Sequence, residues 1–113
     1  MAGGTRVGSF KLRASDWNAI VALAATELKI DNRQVVPNEW VMEGSVGSPI
    51  FKRLERRGLI GFGPMTSGGR IYQVLHPGVL DKAKREAVRR LLGRSSITDR
   101  EVIAWLVGRD LGA

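Results

Sequence analysis

The stretch GSVGSPIFKRLERRGLI, Gly44 to Ile60, decides how this chain folds. An α-helix advances by about 100° per residue. Counted from Ser45, that step gathers Val46, Gly47, Ile50, Phe51 and Leu54 on one side. Ser45, Ser48, Pro49, Lys52 and Arg56 fall on the opposite side, with Arg53 flanking. A helix that buries Ile50 and Leu54 must turn Lys52, Arg53 and Arg56 outward, and its one acid, Glu55, lies at the edge of that face. Gly58 follows the basic turn Arg56-Arg57 and suits the C′ position, so a helix is predicted from near Ser45 to Gly58. Leu59-Ile60-Gly61-Phe62 then has strand character, and Thr66-Ser67-Gly68-Gly69 is a run of turn formers. Arg70-Ile71-Tyr72-Gln73-Val74-Leu75 alternates in the manner of a returning strand. His76-Pro77-Gly78 breaks it.

On the N-terminal side, Met1 to Gly8 is Gly-rich and is expected to fray. Ser15 or Asp16 can cap an Ala-rich helix from about Asp16 to Lys29, with Trp17, Ile20, Val21, Leu23, Ala24 and Leu28 at helical spacing. Asp31-Asn32 signals a turn. Gln34-Val35-Val36 is β-branched and predicts a brief strand. Pro37-Asn38 opens a short helix, Asn38 to Glu43, which Gly44 ends.

On the C-terminal side, a basic amphipathic helix is predicted from about Val79 to Leu92, stopped by Gly93. Its apolar stripe is Val79, Ala83 and Ala87 with Leu80, Val88 and Leu91 beside it. Lys82, Arg85 and Arg89 share another face, which either extends a binding surface or is simply solvated. Thr98 and Glu101 have capping-box spacing and open a last helix, about Asp99 to Arg109. The apolar residues Ile103, Trp105, Leu106 and Val107 cover more than one side of it. Such a helix packs back on the first helix or forms a dimer interface.

The chain has 113 residues, enough for one domain, residues 1–113, with one modest core. Hydrophobic residues are 43% and charged residues 26%, the balance of a globular protein. No apolar run approaches membrane-spanning length, and Met1 to Phe10 lacks the apolar stretch of a signal peptide, so a cytoplasmic protein without a membrane partner is expected. There is no cysteine and one histidine, His76. Disulfides, thiolate zinc sites and cysteine nucleophiles are thereby excluded, and His76 reads as a turn residue. No paired carboxylates or nucleophile–base set stands out, so the sequence implies no enzyme, no cofactor and no metal. The glycines Gly61, Gly63, Gly68 and Gly69 lack the Lys-Ser/Thr that would make a phosphate loop.

Eighteen Lys and Arg against eleven Asp and Glu give a net charge of +7. Residues 1–49 hold five basic and five acidic groups; residues 50–94 hold eleven basic and three acidic groups, net +8; residues 95–113 are net −1. A basic surplus of this kind points to nucleic acid or another anionic surface.

The order of helix, short strand, short helix, helix and hairpin is that of the winged helix-turn-helix. Gly44 to Ile60 resembles the recognition helix and first wing strand of winged-helix regulators, and KRLERRGLI is similar to the MarR-type members of that family. RIYQVLHPG, Arg70 to Gly78, resembles their returning wing strand and its step into a long helix. The resemblance covers roughly Val35 to Leu80, and Gly47 and Pro49 depart from the family's better helix formers. It implies a mainly α fold with a small β-hairpin (α+β), in which residues 16–78 form the winged-helix core. Residues 79–113 add two C-terminal helices suited to homodimerisation.

A B-form major groove admits one helix, and Arg or Lys can bond guanine O6 and N7 there. N-terminal residues of a recognition helix usually read bases. Ser45, Ser48 and Lys52 therefore take the base-reading positions. Arg53, Arg56 and Arg57 lie closer to the backbone, and Arg70 at the wing tip reaches a minor groove or a phosphate. Lys11 and Arg13 can also reach phosphate. The function implied is sequence-specific binding of double-stranded DNA by a small transcriptional regulator that occupies its operator. The alternative is a winged-helix adaptor of phage or plasmid type that binds an acidic protein.

Overall fold

The computed structural model describes residues 4–7, 10–36, 49–64, 67 and 72–112. It is mainly helical with small antiparallel hairpins, the α+β class expected from the sequence. The chain opens with β1 (Gly4–Val7) and β2 (Phe10–Arg13), followed by α1 (Ala14–Glu27) and a 3-10 turn (Asn32–Gln34). Then come α2 (Pro49–Arg56), β3 (Ile60–Phe62), β4 (Tyr72–Val74), α3 (Pro77–Leu92) and α4 (Asp99–Gly112). The expected short helix Asn38 to Glu43 lies outside the described residues, as does the first turn expected at Ser45.

The first hairpin is a departure from expectation. Gly4–Val7, in a segment expected to fray, pairs with Phe10–Arg13 in the register Arg6↔Lys11 and Val7↔Phe10. The reason is apolar. Val7 and Leu12 are buried, which anchors the strands against the rest of the molecule.

α1 forms because its sequence is rich in alanine and buries Ala19, Ile20, Val21, Ala24 and Ala25 as the centre of the core. Asp16 accepts a hydrogen bond from the Arg13 backbone N–H at 3.2 Å, satisfying a donor that the helix start leaves open. The helix ends in a six-residue turn in which Lys29 N–H donates to Thr26 O (3.0 Å) and Ile30 N–H donates to Ala25 O (2.8 Å). Lys29 holds the left-handed conformation, φ 60°, where glycine is usual.

The expected strand Gln34–Val36 is instead the end of the 3-10 turn. Asp31 directs this outcome: its carboxylate accepts from the Arg33 N–H at 3.1 Å and pairs with the Arg33 guanidinium at 3.0 Å. Side-chain capping of this kind competes with strand pairing. Val35 and Val36 remain buried as core residues.

α2 buries Phe51 and Leu54, and the chain turns just after it at Gly58, φ 76°, the glycine expected to stop the helix. β3 and β4 pair in the register Ile60↔Val74 and Phe62↔Tyr72. Tyr72 stacks on Phe51 with centroids 5.2 Å apart, and on Phe62 at 4.4 Å, so one aromatic column joins α2 to its hairpin. α3 starts with Pro77, stops at Gly93 (φ 67°), and lays Val79, Ala83, Ala87 and Val88 in the core, with α1 its principal neighbour.

α4 opens as its capping box predicts, the Glu101 N–H donating to Thr98 Oγ1 at 3.2 Å. It buries Val102 and half-buries Trp105 and Leu106. Arg109 reaches back to donate to Leu28 O at 2.5 Å, a cation on the C-terminal carbonyls of α1. Ile103 and Val107, one turn apart, stay 60% and 51% exposed; this is the face to which the homodimer expectation refers.

Candidate nucleic-acid interface

The side of α2 that faces the core is Phe51 and Leu54. Lys52 and Arg56 are one turn apart on the opposite side, both exposed. Among the described residues no carboxylate pairs with either.

Arg53 and Arg57 are also one turn apart, and they have different work. Arg53 Nη2 pairs with Oδ1 of Asp16, a carboxylate that is 2% exposed. The other oxygen of Asp16 accepts from the Arg13 N–H. One buried carboxylate therefore joins the start of α1 to α2. Arg57 Nη2 donates to the Lys11 carbonyl at 3.2 Å, and its guanidinium lies 5.9 Å from the centre of the Phe10 ring. Arg53 thus ties α2 to the start of α1, and Arg57, just past the end of α2, ties the chain there to β2. Ser45, Ser48 and Arg70 lie outside the described residues.

The first hairpin brings further cations to this place. β2 alternates, with Leu12 buried and Lys11 and Arg13 exposed. Arg6 is directly opposite Lys11 and is likewise exposed. Arg6, Lys11, Arg13, Lys52 and Arg56 thus stand on two elements that Arg53 and Arg57 tie together. Charge counting along the sequence did not single out Arg6. The available signal was the pair of alternating runs Thr5-Arg6-Val7 and Phe10-Lys11-Leu12-Arg13 around Gly8-Ser9, a spacing that favours a hairpin.

The basic helix α3 is not an open cationic face. Lys84 pairs with Glu27 at 3.3 Å, and Arg85 pairs with Asp99 at 3.0 Å. Glu86 accepts from Arg89 at 2.5 Å and from Arg90 at 2.7 Å. Arg90 also donates to Asn18 Oδ1 and to Val35 O, each at 2.9 Å, which ties α3 to α1 and to the loop after it. Arg94 pairs with Glu101. Partial burial opposes ionisation of Glu86, but the hydrogen bonds from Arg89 and Arg90 outweigh it and hold the carboxyl below its ordinary pKa. Lys82 is exposed beside Trp17 at an open cleft of about 290 Å³. Its other lining cations, Arg85 and Arg89, are already engaged by carboxylates.

The charge map is thus sorted by partners. Glu27, Asp99 and Glu101 come from other parts of the chain and quench the middle segment's arginines and lysine on α3 and just beyond it. Lys52 and Arg56 have no carboxylate partner among the described residues. Among the described residues no group of three or more His, Asp or Glu comes together to hold a metal ion. No helix among them is long and apolar enough to cross a membrane. No known family model, curated protein or solved structure matches this chain.

Proposed function

We propose that this chain binds double-stranded DNA with sequence preference, as a small regulator of the winged-helix kind. α2 enters the major groove, and the β3–β4 hairpin lies beside it as the wing. The observation that carries this reading is the placement of Lys52 and Arg56. They project from the side of α2 opposite Phe51 and Leu54, exposed and without a carboxylate partner among the described residues. A helix fits the major groove, and long cationic side chains can reach guanine edges or phosphates from it. Occupancy of an operator then acts sterically, with affinity from phosphate neutralisation and selectivity from base contacts. The aromatic column Phe51–Tyr72–Phe62 supports the same reading, because it holds the helix and the hairpin as one unit.

The test is fluorescence anisotropy on duplexes selected from a random library. The chain should enrich particular sequences over competitor DNA. The double substitution Lys52→Ala/Arg56→Ala should weaken the selected duplex by roughly 100-fold, since each good base contact is worth about 1–3 kcal/mol. Thermal unfolding should change little, because both side chains are exposed. Undiminished binding by the double variant defeats the assignment. If no duplex is selected, the protein-adaptor reading takes its place.

A further inference from the structure

We propose that the β1–β2 hairpin is a second DNA-contacting element, an arm that grips the phosphate backbone beside the groove entered by α2. The inference rests on the duplex-binding reading above and adds a surface to it. Residues 1–15 contain no Asp or Glu, while Arg6, Lys11 and Arg13 are the hairpin's charged groups. The alternation of the strands gives these three one face, opposite the face that carries Val7 and Leu12. Arg6 and Lys11 are cross-strand neighbours, a like-charge pairing that destabilises a hairpin standing alone. An anion lying across the pair removes that cost. A DNA backbone supplies such anions in series, and backbone contact by Arg and Lys is the sequence-independent part of duplex binding.

The hairpin is also held in place for this role. Arg57 bonds to the carbonyl of Lys11 itself, and Asp16 is shared between the Arg13 N–H and Arg53. Arg57, just past α2, and Arg53 within it, acting through Asp16, therefore fix where β2 runs, so a duplex seated on Lys52 and Arg56 meets an arm of fixed position. A preorganised contact avoids the ordering cost that a free tail would incur.

The experiment compares wild type, Arg6→Gln/Lys11→Gln/Arg13→Gln and Lys52→Ala/Arg56→Ala on a panel of selected and unselected DNA duplexes from 50 to 200 mM salt. For the hairpin variant, the slope of log K against log salt should become shallower by about 2–3, close to 0.9 per lost phosphate contact. All duplexes should weaken by a similar factor, about ten-fold, with their ranking unchanged. The α2 variant should instead compress the ranking. Wild type that binds DNA while the hairpin variant keeps the wild-type slope overturns the arm and leaves the α2 reading standing. Wild type that selects no duplex, or that prefers RNA of the same sequence, overturns both. Charges on an exposed strand edge also discourage sheet-to-sheet association. If that were their only purpose, the variant would aggregate in light scattering while its soluble fraction bound DNA with the wild-type slope. Should the triple variant lose its circular dichroism, Lys11→Gln alone gives the same reading, with a slope change of about 1 expected and no change contradictory.

Discussion

Arg53 illustrates how little a residue's type says about its task. Periodicity puts it on the flank of a basic helix face, beside Lys52 and Arg56. In the fold its guanidinium is taken by Asp16, a carboxylate 2% exposed, which no local pattern associates with it. A buried carboxylate without its cation is costly, commonly about 3–5 kcal/mol for a deeply buried pair. Arg53 itself remains about a third exposed, so a smaller penalty applies. Arg53→Ala should therefore lower stability by about 2–3 kcal/mol, seen as a fall in Tm on the order of 10 °C in a thermal melt. Asp16→Asn in the same background should restore part of the loss, because the uncompensated charge is gone. Equal melting of Arg53→Ala and wild type would show that the pair does not hold α2 to α1. The three helix ends teach the same lesson. Gly58 and Gly93 announce their left-handed turns by being glycine, whereas Lys29 adopts the same conformation with no signal in its side chain.

At the scale of elements, helices were more legible than their roles. The limits of α3 and the capping of α4 follow from Pro77, Gly93, Thr98 and Glu101, all local signals. Val35 and Val36 have strand character by residue type, whereas Asp31 sets the 3-10 turn through its side chain. Glycine at the start of the first hairpin suggests fraying, but Val7 and Leu12 supply the burial that holds it. For α3, the sequence left a choice between binding surface and solvated face. The fold gives a third answer, since Lys84, Arg85 and Arg90 link α3 to other elements, while Arg89 pairs with Glu86 on the same helix. Glu27 and Asp99, the partners of Lys84 and Arg85, are distant in sequence, so no window of residues reveals those two pairings, whereas Glu86 lies within a turn of Arg89 and Arg90.

Glu86 lies at the centre of that network, and its folded pKa is lowered. A lowered carboxylate pKa contributes stability above the unfolded value, and that contribution is lost as pH falls through the folded one. Glu86→Gln should accordingly cost about 1–2 kcal/mol near neutral pH, the worth of its charge-assisted hydrogen bonds. The gap from wild type should close as acid protonates Glu86. Urea titrations at several pH values check this. A gap that is constant down to strongly acid pH would mean that the network contributes no charge-dependent stability.

Over the whole molecule, a net charge of +7 suggests an anionic partner without locating a surface for one. The middle segment carries a surplus of +8, yet Lys84, Arg85 and Arg90 are engaged in joining α3 to α1, to α4 and to the loop after α1, and Arg94 is paired with Glu101. Among the described residues, the exposed cations without a carboxylate partner include Lys52 and Arg56 on α2 and Arg6, Lys11 and Arg13 on the first hairpin. That hairpin belongs to a segment whose charges balance in the sequence count. Helical periodicity alone places Lys52 and Arg56 on the exposed side of α2, as the structure has them. It did not join Arg6 to them, because that neighbourhood depends on strand register and on the bond from Arg57 to Lys11.

The account is tested most directly by following backbone amide resonances of the isotope-labelled chain as a selected DNA duplex is added. Shifts concentrated at Lys52 to Arg57 and at Arg6 to Arg13, with α3 and α4 nearly unmoved, are the predicted result. Shifts centred on α3 or α4 while α2 stays unchanged at saturation would contradict it.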